Sequence, residues 1–395
     1  MIGRLTLAAA VMAALTAAAA GCGSGSGSGS GRSGHPSAAR TPAPQRSARA
    51  HRRQGGRIPP LLSRRDVYAA DRPGRLSAVV RHFPARIYVP NSKSNTVDEI
   101  DPRTFKVIRH FTTGALPQHV TPSYDLKTLW VDNDQGNSLT PIDPRTGRPG
   151  KPVPVDDPYN LYFTPDGRYA IVVAERLRRL DFRAAHSMRL HHSVSVPTCA
   201  GVDHMDFSAS GRYALVSCEF GGSVIVLDVA SERVVRTIRL RAGAMPQDVK
   251  LSPDGRLFYV ADMASNGVWT LDGHSFRRGR FIHTGAGAHG LYASRDSRYL
   301  YVSNRAESSI SLISFRNRSV SRKWRLPGGA SPDMGGVSAD GRVLWLSGRY
   351  DAEVYAISTR TGRLIKRIPV GQEPHGLCVY PQPGRYSLGH TGVFR

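Results

Sequence analysis

One five-residue pattern returns seven times along the chain, and its spacing leaves few folds open. It reads Ile87-Tyr88-Val89-Pro90-Asn91, Leu129-Trp130-Val131-Asp132-Asn133 and Ala170-Ile171-Val172-Val173-Ala174 in the first three copies. Ala214-Leu215-Val216-Ser217-Cys218, Phe258-Tyr259-Val260-Ala261-Asp262, Leu300-Tyr301-Val302-Ser303-Asn304 and Leu344-Trp345-Leu346-Ser347-Gly348 complete the series. Successive copies lie 42, 41, 44, 44, 42 and 44 residues apart. The apolar, β-branched and aromatic content of each copy marks a strand.

The stretch Met245–Gly285 shows what accompanies each copy. Asp248–Leu251, Leu257–Ala261, Val268–Leu271 and Arg280–His283 are strand-like runs. Ser252-Pro253-Asp254-Gly255 and Ala264-Ser265-Asn266-Gly267 are turn sequences between them. Four short strands cannot stand alone as an isolated sheet. Repeated at this period, they predict an all-β fold, a seven-bladed β-propeller of four-stranded antiparallel blades. With 40 Gly and 27 Pro, the composition suits many turns.

Closure follows from the order of strands. With the Pro-x-x strand innermost, the last inner strand is His375–Tyr380, and its outer strands must come from Ile87–Thr112. One blade then joins N- and C-terminal strands, which removes open edges. Tyr386–Phe394 repeats the second-strand position and has no vacant place.

Three segments are expected: residues 1–22, 23–75 and 76–395. Arg4, an apolar Leu5–Ala20 run and Ala19-Ala20-Gly21-Cys22 read as an export signal with a lipobox, Cys22 being the lipidated residue. The protein is therefore expected on the outer face of the cell membrane, or secreted if Cys22 is unmodified. Gly23–Gly31 is a flexible Gly-Ser tether. Residues 32–75 hold eleven Arg against Asp66 and Asp71 and are expected to be disordered. Beside a lipid anchor, such a basic segment can rest on anionic head groups. The formal charge of +24 is not read as nucleic-acid binding, because the Arg are spread along the chain without a nucleic-acid module.

Cys199, Cys218 and Cys378 are too widely spaced for a zinc motif. An exported protein permits a Cys199–Cys218 disulfide; buried free thiols are the other reading.

The Tyr-Val-x-Asn strands, the Ile-Asp exit turns at Ile100-Asp101 and Ile142-Asp143, the Pro-Asp-Gly turns and Gly371–Gly376 (Gly-x-x-Pro-His-Gly) together resemble the YVTN β-propeller repeat family over residues 86 to about 385. The resemblance implies an extracytoplasmic, seven-bladed propeller with no set ligand.

In this blade order, the start of each inner strand opens at the central channel. The ligand-binding candidates there are Gln118, His119, Tyr159, Asp203, His204, Gln247, Asp248, His289, Asp333 and His375. Asn160, Gly290, Met334 and Gly376 complete the pairs, and Asn91, Asn133, Glu175, Glu219, Asp262, Asn304 and Arg349 lie farther out. His390 joins them if the last segment is in register. The pairs differ from blade to blade, as expected for one asymmetric ligand. Imidazole and carboxylate suit a divalent metal, but the candidate pairs recur about one blade apart and show no metal-ligand spacing, so no metal and no cofactor is assigned. The expected function is non-catalytic binding of an unidentified protein or small ligand by a monomer. The alternative is a hydrolase or lyase, lactonase-like, using His289 or His375 with Asp203 or Asp333 as acid and base. Related propellers do such chemistry, and that is fold-level analogy. Gly285–Gly290 fits a dinucleotide fingerprint but leads into a strand, where that motif needs a helix.

Overall fold

The computed structural model describes residues 57–390 and 392–395; the expected signal, Cys22 and the Gly-Ser run lie outside them. Among the described residues the chain forms seven antiparallel sheets. They are numbered as blades here in chain order. Blade 1 pairs Cys378–Tyr380 with Arg86–Asn91, Thr96–Asp101 and Lys106–Thr112, so the expected closure is present. Blades 2 to 7 begin with inner strands at Pro117, Pro158, Val202, Pro246, Ala288 and Pro332.

Sequence pattern explains each layer. Inner and second strands are buried on both faces, because each blade packs between two others; Val202–Phe207 and Pro246–Leu251 are buried throughout. Outermost strands alternate or face water, as in Lys106–Thr112. Burying a side chain such as Phe163, Phe182 or Phe207 stabilises by roughly 1.5–3 kcal/mol. Blade 2 has its outer strand split into Arg148–Pro149 and Val153–Pro154, since Pro149 and Pro154 cannot donate to a ladder.

The turns do the work their residues predict. Ser252 Oγ bonds Asp254 Oδ1 at 2.6 Å and accepts Leu257 N at 2.9 Å, while Gly255 takes φ of +69°. Asp101, Asp143 and Asp272 accept backbone N–H groups two residues on, which makes them turn-closers. Asn91, Asn133 and Asn304 each donate to two side chains of the neighbouring third strand. The recurrent Asn therefore locks its own blade.

Cys199 and Cys218 are joined in a disulfide inside blade 4, and Cys378 is a buried thiol.

The expected linker ends earlier than residue 75. Val67, Tyr68 and Ala70 are apolar and buried, and Tyr68 donates its hydroxyl to Leu251 O at 2.7 Å. Arg295 pairs with Asp71. The described residues among 385–395 add no strand to blade 1. Ser387 bridges Phe394, Gly389 bridges Tyr162, and Tyr386, Leu388, Val393 and Phe394 are buried. Arg395 binds Asp206 at 3.0 Å. Both end segments thus pack on the face opposite the inner-strand starts.

Candidate site at the channel mouth

A β-bulge repeats at the start of the inner strands. Pro117 pairs with Asn133 and the next partner pair is Val120–Val131, which leaves Gln118 and His119 outside the ladder. The same shift releases Asp203-His204, Gln247-Asp248, His289-Gly290 and Asp333-Met334. In blade 3 it releases Tyr159. A bulge turns side chains off the sheet, and here it aims them into the channel. The freed N–H groups are recaptured by the second strand: His204 N by Ser217 Oγ at 3.0 Å, Gly290 N by Ser303 Oγ at 2.8 Å and Met334 N by Ser347 Oγ at 3.2 Å. The Ser of the repeat is therefore there to hold the bulge.

The ten candidates separate into layers. Asp333 is fully buried, bonded by His375 and Arg305, with His289 close by. His375 Nδ1 lies 2.8 Å from Oδ2, and His289 Nδ1 and Arg305 Nη1 lie 3.1 and 3.2 Å from Oδ1. Burial opposes its charge, but the Arg305 guanidinium, with the hydrogen bond from His375, outweighs burial and holds the carboxyl well below its ordinary range. Burial keeps both imidazoles neutral: His375 is pushed down to about 3 and His289 well below its usual value. His375 donates through Nδ1 and so carries a lone pair on Nε2, whereas His289 Nδ1 also lies 3.1 Å from Met334 Sδ.

Opposite lies an acidic half. Asp203 is buried, and desolvation with Glu219 and Glu175 nearby raises its pKa strongly. Burial, then Glu219, raises Glu175 to about 7. Gln118 and Gln247 are buried beside the loops, Gln247 donating to Met245 O at 3.2 Å. Asp248 is consumed by structure, accepting Leu291 N and Val249 N at 2.8 Å each.

Arg305, missed in the sequence because it stands one place beyond the aligned position, links the layers. Its guanidinium meets Asp333 and lies 5.6 Å from the ring centre of Tyr350. Arg349 is held more loosely, 3.4 Å from Ser92 Oγ and 3.9 Å from Glu373. Phe220 and Tyr350 are the only exposed Phe, Tyr or Trp among the described residues. Both sit in the loops after second strands, on this same face.

Deeper in the channel, His119, His204 and His390 come together. His119 donates Nδ1–H to Tyr159 O at 2.9 Å. Its ring fits because position 376 is Gly; a Cβ there would stand 1.9 Å from His119 Cδ2. His390 arrives from the end segment below, its N–H bonding Leu161 O at 3.0 Å, and not from a strand in register.

The YNCE-like beta-propeller family model matches residues 74–384. A 6-phosphogluconolactonase of Erwinia tasmaniensis is 26% identical over 282 residues, covering 67% of this chain and 74% of that protein. Two solved structures share the fold. A functionally unknown protein from Desulfotomaculum acetoxidans gives a TM-score of 0.63 at 14% identity, over 74% of this chain and 98% of that one. A putative 6-phosphogluconolactonase from Bacteroides uniformis gives 0.60 at 16%, over 74% and 99%. With the family model covering the whole ring of blades, this chain belongs to the YNCE-like β-propeller family.

Proposed function

We propose that this protein is an exported, lipid-anchored propeller that binds a small polar ligand at its channel mouth without turning it over. One observation carries the reading: the mouth is divided by charge. Arg305 and Arg349 come from neighbouring blades 6 and 7, and Glu175 and Glu219 from neighbouring blades 3 and 4. In a ring of seven these pairs face each other across the channel. Such a mouth suits a ligand with an anionic group at one end and hydroxyls at the other, as in a sugar acid or sugar phosphate. Arg is well suited to carboxylate and phosphate, and the acidic half accepts hydroxyl protons. Exposed Phe220 and Tyr350 offer apolar faces for a sugar ring. A thermal-shift screen of sugar acids and sugar phosphates against purified protein tests this. A rise in Tm with an anionic sugar but not with its neutral parent supports the reading; no response to any of them removes it.

The lactonase-like reading has support of its own. A 26% identical relative is named 6-phosphogluconolactonase, and His375, oriented by Asp333, carries its lone pair on Nε2. Such a base could activate water against a lactone carbonyl. Proton NMR of 6-phosphogluconolactone with and without protein separates the two: ring opening above the spontaneous rate that falls with His375→Gln moves the assignment to an enzyme.

The anchor rests on residues 1–22 and on the basic segment that follows. Cys22→Ala is expected to release the protein from membranes, and unchanged membrane association would count against lipidation.

A further inference from the structure

We propose that His119, His204 and His390 form a binding site for a late first-row divalent cation, Zn²⁺ or Cu²⁺, inside the channel beneath the mouth. This is a separate claim from ligand binding at the rim. The ligand nitrogens of the three residues all lie within 4.8 Å of one another, and all three rings are buried. Their centroids are 5.5, 5.0 and 4.7 Å apart for the pairs 119–204, 119–390 and 204–390.

The chemistry of the donors fits. Three imidazoles with no thiolate form a set that zinc and copper accept, leaving a fourth position for water or a ligand. Around a tetrahedral zinc at about 2.0–2.1 Å from each nitrogen, ligand atoms lie roughly 3.4 Å apart, so closing the site needs ring tilts of about 1 Å. His119 is already set for it. Tyr159 O fixes the proton on Nδ1, and the buried Nε2 has no hydrogen-bond partner among the described residues. A metal-bound histidine commonly holds its second nitrogen in this way.

His204 needs one rearrangement. Asn160 Oδ1 is taken by Leu161 N, so its amide nitrogen donates to His204 Nδ1 at 2.6 Å and the proton sits on Nε2. That buried Nε2 also lacks a hydrogen-bond partner among the described residues. Binding a cation through Nε2 moves the proton to Nδ1, which requires the ring to turn from the Asn160 amide so that Nδ1–H donates to Asp203 Oδ1, 3.4 Å away. Asp248 Oδ1 is 4.0 Å from His390 Nε2. These two carboxyl groups flank the three rings. The end segment has a reason to enter the channel on this account: it supplies the third ligand from outside the repeat.

The test uses full-length, untagged protein stripped with chelator and titrated with ZnCl₂ by calorimetry, with elemental analysis of the product. One zinc per chain with Kd below about 1 μM is expected. His390→Gln and His204→Gln should each weaken binding at least 100-fold, while His283→Gln, on an exposed outermost strand, should retain it. Co²⁺ substitution of the wild type should give the intense visible bands of a tetrahedral nitrogen site, a readout independent of how any variant folds. Wild-type protein without stoichiometric zinc, or zinc affinity unchanged in both ligand variants, overturns the assignment. Near-UV circular dichroism of the stripped proteins shows whether a variant lost metal or lost its fold.

Discussion

Asp333 accepts the Nδ1 proton of His375 at 2.8 Å across the seam between blades 7 and 1, with both side chains buried. The carboxylate is ionised and the imidazole neutral, an arrangement that acid must disrupt. Burial depresses His375 in the folded chain to about 3, whereas in the unfolded chain it titrates near about 6.5. The unfolded state therefore binds more protons in that window, so stability is full above about 6.5 and falls as pH drops toward 3. One such group is worth on the order of 4 kcal/mol when fully protonated in the unfolded chain. Tm should fall steadily from pH 7 to pH 4. The slope should be shallower in His375→Gln, as scanning calorimetry at several pH values would show.

The disulfide of blade 4 closes a sequence separation of 19 residues. Loop-closure arguments place the contribution of such a bond at about 3 kcal/mol. Cys199→Ser with Cys218→Ser should lower the urea midpoint accordingly, and a reducing agent should do the same to the wild type. An unchanged midpoint would mean that the packing around Val202 and Val216 already sets the geometry.

Gly376 makes room for His119, since its Cβ position meets the imidazole at 1.9 Å. Gly376→Ala should push His119 out of the channel and weaken zinc binding at least tenfold. Backbone relaxation there should cost roughly 1–3 kcal/mol of stability, the range for overpacking. Calorimetric titration beside a denaturation curve separates the two effects.

Much of this fold was legible in the repeat, and the reason is physical. Strand, turn and exit residues recur because every blade solves the same packing problem, so Ser252-Pro253-Asp254-Gly255 and Ile142-Asp143 could be read as turns. The bulged pairs were legible too, because Pro precedes most of them. What resisted was what breaks the repeat. Residues 57–75 look like linker by composition, yet Val67 and Tyr68 are buried. His390 belongs to no blade, so its meeting with His119 and His204 exists only in three dimensions. Arg305 escaped because its neighbour Asn304 occupies the aligned position while bonding Ser309 and Ser311.

Mouth electrostatics should respond to pH near neutrality. Burial and Glu219 raise Glu175 to about 7, so it gains negative charge between pH 6 and 8. Binding of D-gluconate, whose own charge is constant there, should weaken over that interval. Glu175→Gln should flatten the dependence in calorimetric titrations run at matched ionic strength.

The central claim, that the mouth binds a small anionic polyol through its basic half, turns on Arg349, whose guanidinium is only loosely engaged by Ser92 and Glu373. Isothermal titration with 6-phosphogluconate should give one site per chain in the wild type. Removing a charge-assisted hydrogen bond costs about 1.5–3 kcal/mol, so Arg349→Met should bind roughly 10- to 100-fold more weakly. Equal affinity in the wild type and Arg349→Met, or no binding by either, would contradict the account.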